Sequence, residues 1–116
     1  MSKRSERWKT LERIAARKLG GERVQRWLDF GQTAPDVLVK DFGLIVDCKA
    51  HARFSHHALM ENIQRKYCER NETPVLISKH SKQVGEYCTV PLDWLANLLD
   101  EVRAARMNNT TPGTAE

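Results

Sequence analysis

Apolar residues recur at helical spacing from about Glu6 to Leu19, where Trp8, Leu11, Ala15 and Leu19, with Ile14 beside them, mark one face. Gly20-Gly21 supplies the stop. Residues 22–28 suit a first strand and 29–35 a loop. The stretch from Asp36 to Lys49 predicts two strands folded about a two-residue turn at Asp41-Phe42. A polar connection from Ala50 to Ser55 leads to a helix over about 56–70, with Leu59, Ile63 and Tyr67 on its apolar stripe. Residues 74–78 and 86–90 read as short strands. Pro91 suits the first turn of a last helix, about 91–106, whose stripe is Leu92, Leu95, Leu98, Leu99 and Val102. This order of helix, three strands, helix, two strands and helix predicts an α/β domain, a mixed central sheet flanked by helices. Trp8, Trp27 and Trp94 are expected in its core or at an interface.

At 116 residues the chain has room for one domain with a modest core, taken as 6–106, between a flexible basic start (1–5) and a flexible tail (107–116). A net charge of +4 favours an acidic partner. No apolar run reaches membrane-spanning length, and Met-Ser-Lys-Arg-Ser-Glu-Arg lacks the hydrophobic segment of a signal peptide, so a cytoplasmic protein with no membrane partner is expected. Cys48, Cys68 and Cys88 are odd in number and argue against a disulfide scaffold. Cys48-x-x-His51 has ligand-like spacing, but no second Cys/His pair of standard spacing accompanies it, and structural zinc is disfavoured.

The chemistry concentrates on the hairpin. Alternation puts Asp47 and Lys49 on one strand face and Val46 and Cys48 on the other. A turn at Asp41-Phe42 sets Asp36 opposite Asp47, and cross-strand Cβ atoms lie roughly 4.5–5.5 Å apart, where like charges repel. A cation between them relieves that repulsion, and hard oxygen ligands suit Mg²⁺, with Mn²⁺ plausible. The competing reading is an Asp–Lys pair on a solvated strand face.

Pro35-Asp36 followed by Asp47-Cys48-Lys49 is similar to the PD-(D/E)xK nuclease motif. The small size, the element order and Glu12-Arg13 in the first helix resemble the archaeal-type Holliday junction resolvases of that superfamily, a phage-encoded version included. The resemblance implies a restriction-endonuclease-like domain and an endodeoxyribonuclease that resolves four-way DNA junctions by paired nicks. It implies catalytic roles for Glu12, Asp36, Asp47 and Lys49, and a metal held by Asp36, Asp47, Glu12 and the backbone carbonyl of Cys48. A homodimer is expected, since a two-fold axis sets two sites against two symmetry-related strands.

Candidate DNA contacts are Arg4, Arg13, Arg26, Arg53, Ser55, His56, His57, Gln64 and Lys66. Ser55 is also the natural N-cap of the helix that follows it. Two alternatives stay open. One is a nuclease of the same superfamily acting on duplex, flap or damaged DNA; the other is a non-catalytic DNA-binding module of the same fold.

Overall fold

Gly20-Gly21 ends the first helix, α1 (Lys3–Leu19), by a Schellman closure in a computed structural model that describes residues 3–24, 34–51, 55–80 and 82–109. Gly20 is left-handed with φ 68°, and the Gly21 N–H donates to Ala16 O at 2.8 Å. A Cβ on Gly21 would stand 2.7 Å from Leu38 O, so this turn lies directly on the strand behind it. The chain continues through β1 (Glu22–Arg23), β2 (Val37–Val39), a 3₁₀ turn (Lys40–Phe42) and β3 (Leu44–His51). It then forms α2 (His56–Tyr67), β4 (Thr73–His80), β5 (Tyr87–Thr89) and α3 (Leu92–Asn109).

The five strands make one mixed sheet in the order β1-β2-β3-β4-β5. β3 and β4 are parallel and joined across α2, while the other neighbours are antiparallel. Alternation divides the apolar residues between two faces. Val37, Val39, Leu44, Val46, Cys48, Val75 and Ile77 pack with Leu11 and Ala15 of α1. Ile45 and Leu76 pack with Ile63 of α2, and Leu59, Met60 and Tyr67 close the edge of that cluster. The architecture is the α/β arrangement that the pattern predicts.

Several boundaries move. The first strand is described only at Glu22–Arg23, and Trp27 with the rest of 25–28 lies outside the described residues. The two-residue turn is replaced by the 3₁₀ turn and Gly43, whose φ of 65° closes it. The expected register is nonetheless kept at Val37–Val46, Leu38–Ile45 and Val39–Leu44. β3 runs two residues past Lys49, because parallel pairing to β4 continues through His51–His80. α2 stops at Tyr67 rather than Arg70. Lys3–Ser5 and Met107–Asn109, placed in flexible ends by the sequence reading, are helical. The largest departure is in α3, whose expected core stripe is mostly exposed.

Candidate functional site

The site forms where β2 ends and β3 continues. Asp36 stands just ahead of β2 and is 1% exposed. Its carbonyl accepts from Val24 N–H at 3.0 Å, and its own N–H donates to Val46 O at 2.9 Å. Val37 is the residue in register with Val46, so two residues here oppose one on β3, as in a β-bulge. The direct Asp36–Asp47 opposition expected from the sequence is therefore corrected by one step. Asp36 instead turns its carboxylate along the strand, and Oδ2 accepts from the Cys48 N–H at 2.8 Å. That bond sets the carboxylate beside the Asp47–Cys48 peptide. A strand residue directs its N–H and C=O to the same side, so the Cys48 carbonyl also points toward Asp36.

Asp47 and Lys49 share the α2 side of β3, as alternation predicts, with Lys49 Nζ 3.2 Å from Asp47 Oδ2. Their side chains are 14% and 27% exposed for Asp47 and Lys49, enough for a ligand to reach both. Register carries the row outward from Lys49 to Ser78 on β4 and Tyr87 on β5, all on this face. Ser78 is buried and Tyr87 is exposed. Neither was singled out from the sequence; the signal is cross-strand register, which one sequence does not contain.

Glu12 has a partner that the sequence does not offer, Arg23. Glu12 is buried on the α1 side of the sheet, where Arg23 donates to its Oε1 from Nη2 at 3.0 Å and from Nε at 3.3 Å. Arg23 is paired with Val37, which fixes it to that same side. Asp47 faces the α2 side of β3. Cys48 lies beside it in the strand. Burial first, then the charges of Glu12 and Asp47, pushes its thiol from about 9 up to about 12. Without a metal, the Cys48 thiol therefore stays protonated at neutral pH and is a poor nucleophile.

Among the described residues no group of three or more His, Cys, Asp or Glu side chains could hold a metal ion. A closed all-protein cage is thus absent there. The candidate oxygen donors on this stretch are two carboxylates, Asp36, bonded to the Cys48 N–H, and Asp47, paired with Lys49, and one peptide carbonyl, that of Cys48. That set fits Mg²⁺, which is usually held by one or two carboxylates and completes its octahedron with water and phosphate. The repulsion expected between the acids is also partly met by the protein, through Lys49 on Asp47 and the Cys48 N–H on Asp36.

Comparison with protein-family models, curated proteins and solved structures finds no match to this chain. The site therefore rests on its own geometry.

The expected DNA contacts scatter. Arg13, His56, His57, Gln64 and Lys66 are exposed. Ser55 is the N-cap of α2 by position but makes no side-chain capping bond. His56, His57 and Gln64 line one wall of a groove of about 360 Å³ whose other wall is Pro74, Thr89, Val90 and Pro91. His57 leans on Glu61 at 3.7 Å. Arg26, Arg53 and the side chain of Arg4 lie outside the described residues. No helix among the described residues is long and apolar enough to cross a membrane.

Proposed function

We propose that this protein is a divalent-metal-dependent endodeoxyribonuclease with its site at Asp36, Asp47, Cys48 and Lys49. The observation that carries the reading is the placement of Asp47 and Lys49 on one face at the open end of β3, with the Asp36 carboxylate bonded to the peptide between Asp47 and Cys48. An accidental Asp–Lys pair on a solvated strand has no reason to recruit a buried acid to its backbone. The order of one helix, a three-stranded antiparallel start and a helical crossover to a parallel strand supports the restriction-endonuclease-like reading.

Asp36, Asp47 and the Cys48 carbonyl would hold Mg²⁺ or Mn²⁺, which supplies a Lewis acid for the phosphoryl oxygens and acidifies bound water. Lys49 has the complementary task. Its ammonium, steered by Asp47, donates to a non-bridging phosphate oxygen or orients the attacking water, and its charge offsets the charge that develops on the phosphorus oxygens. The Cys48 N–H fixes the Asp36 carboxylate so that its second oxygen keeps a constant direction. Glu12 and Arg23 act from beneath, as a part-buried ion pair that ties α1 to β1 and holds the strand ends in place. Tyr87, exposed in the row that begins at Lys49, offers a surface for a flanking base or sugar.

The preferred substrate in this reading is a four-way junction, cut as paired nicks by a homodimer acting on DNA in the cytoplasm. The net charge of +4 supports a phosphate-rich substrate, and binding should weaken steeply with salt. Asp47→Ala tests the site: it should lower Mg²⁺-dependent cleavage by about 1,000-fold or more while junction binding persists. Cleavage by Asp47→Ala at the wild-type rate would remove the site.

A further inference from the structure

Tyr87 is 71% exposed on the edge strand β5, in the row that runs from Lys49 through Ser78. Among the described residues the exposed aromatic side chains are Phe42 and Tyr87, and Phe42 precedes β3, at the far end of that strand from Lys49. Alternation along β4 puts His80 on the same face as Ser78, one step beyond it. Ser78 is the cross-strand partner of Tyr87, so His80 is the diagonal neighbour of Tyr87, at about 7–8 Å between Cα atoms, which aromatic side chains span. The turn after β4 fixes the His80 ring. Its Nδ1 accepts from the Lys82 N–H at 3.2 Å, and the His80 carbonyl accepts from the Gln83 N–H at 3.1 Å. With Nδ1 an acceptor, the neutral ring carries its proton on Nε2, which has no partner among the described residues.

A stacking ring, an N–H donor and the Lys49 ammonium thus border one stretch of the α2 face. An aromatic ring takes a base and an N–H takes a phosphate oxygen, so together they fit a nucleotide. A paired base inside a duplex has both faces covered by its neighbours, and Tyr87 can stack only on a base that has left the helix. We propose that Tyr87 and His80 bind one unpaired nucleotide next to the phosphate at Lys49, Tyr87 stacking on its base and His80 Nε2–H donating to its phosphate. The proposal rests on the nuclease reading for the phosphate at Lys49. It narrows the substrate to DNA with an unpaired base beside the cut, as at a branch point.

Fluorescence anisotropy of the full chain in EDTA, where metal-dependent cleavage is silent, tests the pair with a labelled thymidylate oligomer and a labelled blunt duplex. Tyr87→Ala should weaken oligomer binding by about 5- to 150-fold, the loss of one stacked base, with duplex binding within about two-fold of the wild type. Tyr87→Phe keeps the ring and should bind as the wild type does. His80→Ala should weaken oligomer binding by about 5-fold, and His80→Gln, which keeps a neutral N–H donor, should restore most of it. A wild type that does not bind the oligomer overturns the proposal. So does Tyr87→Ala if it weakens oligomer and duplex alike, or neither. His80→Gln no better than His80→Ala overturns the role of His80. Cleavage with Mg²⁺ is scored separately. Tyr87-dependent oligomer binding without cleavage would sink the nuclease reading and leave the nucleotide site standing, whereas cleavage with oligomer binding indifferent to Tyr87→Ala would do the reverse.

Discussion

Lys49 and Asp47 hold one another at 3.2 Å, and each limits what the other can do alone. Removing the ammonium by Lys49→Ala leaves the carboxylates in place, so metal affinity should change little. The single-turnover cleavage rate should fall by about 100-fold, as for loss of one transition-state donor. An unaltered rate would take Lys49 out of the chemistry. Glu12 and Arg23 make a different prediction. Arg23→Ala leaves a buried carboxylate without its two donated bonds and should cost about 1–3 kcal/mol in urea unfolding. Glu12→Gln should lower stability while leaving the metal affinity of the β3 site near that of the wild type. Cys48 adds a pH signature. Its folded-state pKa is raised, so its contribution to stability is complete below pH 9 and is lost as pH climbs through about 12. Cys48→Ala should flatten the alkaline fall in stability over that window, measured by urea denaturation.

At the scale of elements, the alternation of Val37 to Val39 and Leu44 to Val46 was enough to specify the hairpin register, because a slip of one residue would expose every core side chain. Asp47 and Lys49 were legible for the same reason. The bulge at Asp36 was not: it depends on a hydrogen bond from Asp36 to Val46 O that no side-chain pattern encodes. Glu12 was legible as a residue at the margin of an apolar stripe. Its partner was not, since only the register of β1 on β2 brings Arg23 under it. The α3 stripe was read correctly as apolar and wrongly as core, because periodicity reports an apolar face and is silent about what covers it. The α1–β1 turn carries its own prediction. Gly21→Ala puts a methyl group 2.7 Å from Leu38 O and 2.9 Å from Val37 Cγ1, where backbone cannot easily yield. A loss of about 1–3 kcal/mol in thermal or urea unfolding is expected. An unchanged midpoint would mean that α1 shifts on the sheet without cost.

For the whole molecule, the two sheet faces divide the labour. The α1 face carries the larger core and the Glu12–Arg23 pair, and so sets stability. The α2 face carries Asp47, Lys49, Ser78 and Tyr87, and so is the face on which the proposed site opens. Asp36 joins the two at the point where β2 gives out. The end of β3 that carries Asp47 and Lys49 is proposed above as a metal-assisted phosphodiesterase site. The most direct test is single-turnover cleavage of a four-way junction and of a linear duplex of equal sequence, each with Mg²⁺ and with a chelator. Paired nicks in the junction, faster than duplex cutting and abolished by the chelator, are the predicted result. Equal rates on both substrates would shift the substrate to general duplex DNA, and no Mg²⁺-dependent cleavage of either would contradict the site itself.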